Sequence, residues 1–100
     1  MTTILRGKQR RHLRGLGVHL QPVVFVGKKA ITGGVLDEIR DALRAHELIK
    51  VRLLEAAGPD RKTIARELAE RTESELVQVL GRTVLLYRRG EEEPRIEFPD

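Results

Sequence analysis

The chain has 100 residues, a length that suits one domain and one core needing no covalent staples. It has no cysteine, which excludes disulfides and thiolate metal sites, and no apolar run as long as a membrane span. Its net charge of +4 is uneven: residues 1–50 carry ten Lys/Arg against four Asp/Glu, and residues 51–100 carry nine against eleven. A basic half suits an anionic partner, nucleic acid being the commonest. The alternative is charge that serves solubility alone.

The opening Met1-Thr2-Thr3-Ile4-Leu5-Arg6 lacks the apolar core of a secretory signal, so the expected setting is the cytoplasm. Residues 7–17 read as a short helix with Leu13 and Leu16 on one side. Lys8, Arg10, Arg11 and Arg14 fall on the opposite arc, giving a basic face without an acidic residue. Gly17 is placed to end this helix. Pro22 opens a strand through Val23-Val24-Phe25-Val26. The loop Gly27-Lys28-Lys29-Ala30 follows, and then a helix over about 33–46 with Thr32 as its N-cap. Two ammonium groups beside a helix N-terminus suit a phosphate oxygen; the plainer alternative is a solvated connection.

Leu48 to Leu54 alternate as a strand, with Ile49, Val51 and Leu53 on one face and Lys50 and Arg52 on the other. Ala57-Gly58-Pro59-Asp60 is turn chemistry, and Asp60 is expected to cap a helix through about residue 72. Leu76 to Leu80 and Thr83 to Arg88 read as strands joined by Gly81-Arg82, with glycine first as a type II′ turn prefers. The domain is expected over 1–89. Residues 90–100 form an acidic tail in which Ile96-Glu97-Phe98 could supply a short edge strand. The expected fold class is α/β, in the order α-β-α-β-α-β-β. One four-stranded mixed sheet has the helices at 33–46 and 61–72 on one face.

Reaction chemistry is not visible. Neither GxGxxG nor GxxxxGK[ST] occurs, and His12, His19 and His46 lack ligand spacing. Ser74 has no nucleophile-elbow context. No enzyme, metal or cofactor is expected. Phe25, Tyr87 and Phe98 are too few for the multi-ring platform of an RNA-recognition motif, so RNA is expected to be held by phosphate contacts, shape and the 2′-hydroxyl rather than by rings.

Five ordered blocks resemble the CRM domain: residues 7–14, Leu20-Gln21-Pro22-Val23-Val24, residues 27–35, His46-Glu47-Leu48-Ile49-Lys50-Val51, and Val77-Gln78-Val79-Leu80-Gly81 with Leu86-Tyr87-Arg88. That domain is the RNA-binding module of chloroplast splicing factors and of stand-alone bacterial YhbY-like proteins. The resemblance spans about residues 5–89. It implies the fold above, kinship with the C-terminal domain of a bacterial translation initiation factor, RNA binding, and association with large-subunit precursors. It also implies a GxxG loop like the backbone clamp of KH domains. Here that loop is Gly27-Lys28-Lys29-Ala30, and alanine in the last place would be strained if φ > 0 were required there. Arg6 stands where the family often has a Ser or Thr cap.

The combined expectation is an RNA-binding protein acting on ribosomal RNA during large-subunit assembly, without membrane or small-molecule partners. Gly27, Lys28, Lys29 and Ala30 form its loop; Lys8, Arg10, Arg11 and Arg14 extend the basic surface; Lys50 and Arg52 are further candidates. The alternative function is a ribosome-associated adaptor that docks a protein without direct RNA contact.

Overall fold

A computed structural model describes residues 5–99; the opening residues 1–4, on which the expectation about a secretory signal partly rests, lie outside the described residues, as does Asp100. The elements are α1 (Gly7–Gly17), β1 (Pro22–Val26), α2 (Gly33–His46), β2 (Leu48–Leu53), a 3-10 turn (Glu55–Ala57), α3 (Arg61–Arg71), β3 (Glu75–Leu80) and β4 (Thr83–Tyr87). The strands form one sheet in the order β1-β2-β4-β3, with β1 and β2 parallel and β4 antiparallel to both neighbours. The expected α/β class, element order and mixed four-stranded sheet are all present.

Alternation along each strand sorts the side chains into two cores. Val24, Val26, Ile49, Val51, Leu53, Val84 and Leu86 point to one face, where α2 covers them with Leu36, Ile39 and Leu43 and α3 with Ala65, Leu68 and Ala69. Leu48, Leu85, Tyr87 and Val77 point to the other face, where Leu5 and Leu13 meet them. Helix α1 therefore lies on the side of the sheet away from α2 and α3.

The buried stripe of α1 differs from the expected pairing of Leu13 with Leu16. Leu13 is fully buried together with Gly17, whereas Leu16 is 39% exposed. The cause is close approach: a Cβ at Gly17 would fall 2.8 Å from Leu85 Cδ2. The helix rests on β4 through a missing side chain, which turns its inner face away from Leu16 and towards Arg10. At the start of α1, Gln9 Oε1 accepts the Arg6 backbone N–H at 2.9 Å, supplying from within the helix a bond at the N-cap residue.

The other helix ends divide. Thr32 caps α2 as expected, its hydroxyl accepting the Val35 N–H at 3.1 Å. Asp60 occupies the N-cap position of α3, yet its carboxylate makes no capping bond. The end of α3 is closed instead by Thr72, whose hydroxyl donates to the Leu68 carbonyl at 2.7 Å and lies 2.8 Å from Ser74 Oγ. Ser74 is thus a buried structural residue. In the β3–β4 hairpin Gly81 takes φ 59°, as the first position of a type II′ turn requires.

The tail departs from the sequence reading. Residues 96–98 form no strand; residues 91–95 are exposed, while Ile96 and Phe98 are half-buried against the domain. Ile96 and Phe98 pack on the second core, with the Phe98 ring edge-on to Tyr87 at 5.8 Å and to His12 at 5.7 Å. Glu47 holds the tail in place. It ends α2 at φ 63° and is 1% exposed. Its carboxylate accepts the backbone N–H groups of Gly90 at 2.5 Å, Arg95 at 2.8 Å and Ile96 at 2.9 Å. Arg95 adds a guanidinium bond to the Ala45 carbonyl. A side chain at Gly90 would collide with that carboxylate.

Candidate functional site

The loop between β1 and α2 sits where the parallel strands β1 and β2 both finish, with Val26 level with Leu53. Lys28 and Lys29 are exposed, while Ala30 and Ile31 turn inward and pack on the first core. Residues 33 and 34, the first two of α2, are exposed glycines, so the free N–H groups of the first turn are not screened by side chains. Among the described residues, only Glu47 and Glu73 are non-glycines with positive φ, so Ala30 fits the loop without strain. Gly27 has neither positive φ nor any atom within 4 Å of where its Cβ would be. Nothing inside the molecule requires glycine there; the missing side chain leaves room for an approaching group.

Lys50 and Arg52 lie on the second face of β2, half-buried and exposed respectively. Arg52 is level with Phe25, two residues before Gly27, so register brings Arg52 to the same end of the sheet as the lysine loop. Lys50 is one pleat further in. Among the described residues, no carboxylate pairs with Lys28, Lys29, Lys50 or Arg52.

The cations of α1 form a separate group. Lys8, Arg11 and Arg14 are exposed and, among the described residues, unpaired. Arg10 differs from them, and its place opposite the apolar stripe is corrected by the structure. Its guanidinium donates to the Leu76 carbonyl and lies 3.9 Å from Glu75, so it ties α1 to the start of β3. The cause is the rotated inner face set by Gly17, which puts Arg10 at the border of the buried stripe. The start of β3 is level with Tyr87 and, through it, with Leu48 at the beginning of β2. Five residues of strand, about 16 Å at the usual rise, separate that end from Leu53 and the lysine loop.

Two further polar residues shape the sheet, one at each end. Arg82, on the hairpin, donates to the Leu54 carbonyl at 3.0 Å and so fixes the end of β2. Tyr87 is 1% exposed, and its phenol is held above the ordinary 10.0 by burial first and by the Glu47 carboxylate second, with Arg89 opposing. No group of acidic or histidine side chains among the described residues could hold a metal ion, and no described helix is long and apolar enough to cross a membrane.

This arrangement of basic loop, mixed sheet and separately packed first helix was compared with known proteins. The family model for the CRS1 / YhbY (CRM) domain matches residues 5–88. The chain belongs to the CRM family. Among its CRM relatives, the Bacillus subtilis protein named Probable RNA-binding protein YqeI is 40% identical over 96 residues, covering 96% of this chain and 100% of its own length. A Haemophilus influenzae protein named RNA-binding protein is 44% identical over 100 residues, covering 97% of each chain. The solution structure of a hypothetical Staphylococcus aureus protein, put forward as an RNA binder, superposes with a TM-score of 0.82 at 42% identity, covering 96% of this chain and 100% of that one. The CRM match spans every helix and strand described above and stops short of the docked tail.

Proposed function

We propose that this CRM protein binds ribosomal RNA during assembly of the large ribosomal subunit, acting in the cytoplasm as a binding protein and not as an enzyme. One observation carries the reading most: the loop at residues 27–30 offers two exposed lysines, unpaired among the described residues, beside open helix N–H groups, with a glycine the described fold does not need. Ammonium groups and backbone N–H groups together suit phosphate oxygens. The relatives named as RNA-binding proteins support RNA as the polyanion. Arg52 and Lys50 extend the loop surface along β2, while Lys8, Arg11 and Arg14 offer a second basic surface from α1. Phosphate contacts of this kind position an RNA without reading its sequence.

Replacing Lys28 and Lys29 with alanine tests this. The double variant should fold normally, bind structured ribosomal RNA more weakly, and show a shallower log–log salt dependence, by about 0.7–0.9 for each phosphate no longer neutralised. It should also leave the large-subunit precursor fraction of a sucrose gradient. An unchanged slope together with retained precursor association would instead favour an adaptor that reaches the particle through a protein.

A further inference from the structure

The fold leaves one end of the second sheet face uncovered. Val24 and Val26 fill the first core, so alternation sends Val23 and Phe25 to the opposite face. Cross-strand register then draws a row from Phe25 through Arg52 and Thr83 to Leu80. Four strands at the usual spacing make this row about 14 Å long. Phe25 is 55% exposed and Leu80 69%. The last turn of α1 reaches Leu85 through Gly17, and Leu85 is level with Lys50, two residues back along β2 from Arg52. The tail covers the far end, where Tyr87 and Phe98 meet.

The three aromatic rings therefore have different fates. Tyr87 and Phe98 pack against each other, while Phe25 has no aromatic partner among the described residues. Its neighbour across the strand pair is a guanidinium without an ion pair among the described residues, and neither its row nor the Lys50–Leu85–Gln78 positions behind it contain a carboxylate. The ring also lies two residues before Gly27, close in the chain to Lys28 and Lys29.

We infer that Phe25 is a stacking platform for one unpaired nucleobase of the bound RNA, flanked by Arg52. This rests on the RNA-binding reading above and narrows its ligand to RNA with a bulge, loop or single-stranded stretch at this site. A base has a flat face for the phenyl ring and a polar rim that the Arg52 guanidinium and Thr83 hydroxyl can meet. A continuous duplex keeps its base faces stacked within the helix and cannot offer one. Charge complementarity favours a polyanion over a neutral apolar partner here. The platform uses one ring, so it differs from the multi-ring platform that the composition excludes.

The chain contains no tryptophan, so Phe25→Trp places a single emitter at the platform. The probes are an oligoadenylate and an RNA duplex of equal length, at the same moderate salt. Oligoadenylate should quench the emission saturably and the duplex should not. Phe25→Ala, checked for folding by circular dichroism, should weaken oligoadenylate binding about 5- to 150-fold and leave duplex binding unchanged. Binding of oligoadenylate that depends on Lys28 and Lys29, with no quenching and no weakening in Phe25→Ala, would overturn the platform while leaving the RNA reading standing. Failure of both RNAs to bind at low salt would overturn both. Emission that changes with protein concentration, and not with RNA, would assign the row to a second copy of this chain.

Discussion

Glu47→Ala should detach the C-terminal tail. The carboxylate is buried at the end of α2 and accepts three backbone N–H groups, from Gly90, Arg95 and Ile96. A hydrogen bond to a charged acceptor contributes about 1.5–3 kcal/mol, which sets a gross loss of roughly 5–9 kcal/mol. The net loss is smaller, because a detached tail regains water at those groups and regains chain entropy. It is bounded by what docking contributes, chiefly half-burial of Ile96 and Phe98 at about 1–1.5 kcal/mol each, plus the exposure of Tyr87. We expect a loss of about 2–4 kcal/mol. With a urea slope near 1.5 kcal/mol/M, the unfolding midpoint should fall by about 1–3 M. Glu47→Gln should lie between the parent and the alanine variant, since its amide oxygen can keep the Arg95 and Ile96 N–H groups while its NH2 faces the Gly90 N–H. Glu47→Gly should recover about 1 kcal/mol of the loss, because φ 63° is freely available to glycine. Hydrogen exchange at residues 90–96 reports the docking directly. A Glu47→Ala protein with an unchanged midpoint and protected tail amides would refute the clasp.

Gly17→Val drives a side chain into Leu85 and should cost about 1–3 kcal/mol, with Leu85→Ala in the same chain restoring part of the loss in a thermal melt. Arg10→Gln should lower stability by about 1 kcal/mol by removing its bond to the Leu76 carbonyl, whereas Arg11→Gln with Arg14→Gln should change stability by less than about 0.5 kcal/mol while weakening RNA binding. Equal effects on both assays would deny the division of labour along α1. Tyr87 makes alkaline stability informative: its phenol is raised in the folded state, so the neutral form is favoured by folding. That contribution is complete below pH 10.0, the ordinary value, and is lost as pH rises through the folded value. Denaturant midpoints followed upward from pH 9 should therefore fall above about pH 10 in the parent and fall less in Tyr87→Phe.

Strand patterns carry most of the fold because each is decided locally. Ile49, Val51 and Leu53 announce a buried face by alternation alone, and Thr32 and Gly81 sit where a cap and a turn need their chemistry. The orientation of α1 is not legible, because its deepest contact is an absence: a helical-wheel reading weighs Leu16 and gives Gly17 no weight. Asp60 misleads in the opposite way, having the right type and place for a cap but making no capping bond. Glu47 lies beyond local reading because its three donors are more than forty residues away; the one available signal is the lack of the glycine that often follows a helix. At the candidate site the lysine loop is legible from composition and spacing. The row from Phe25 to Leu80 is not, since it exists only once the strand order places residues 25, 52, 83 and 80 side by side.

The strand order also governs when the molecule can come together. The last strand among the described residues, β4, is the one that lies between β2 and β3. A nascent chain that ends before Thr83 can pair β1 with β2 across the α2 crossover, but β3 has no neighbour to join. The residues that satisfy Glu47 are made later still, at positions 90 to 96. Synthesis thus delivers both closing pieces after the rest of the domain, and the sheet is completed only once residues through Tyr87 have emerged. Until then β3 carries Val77 on an unpaired strand, so a chain cut before Thr83 is an aggregation hazard in its own right and not a smaller working version of the protein.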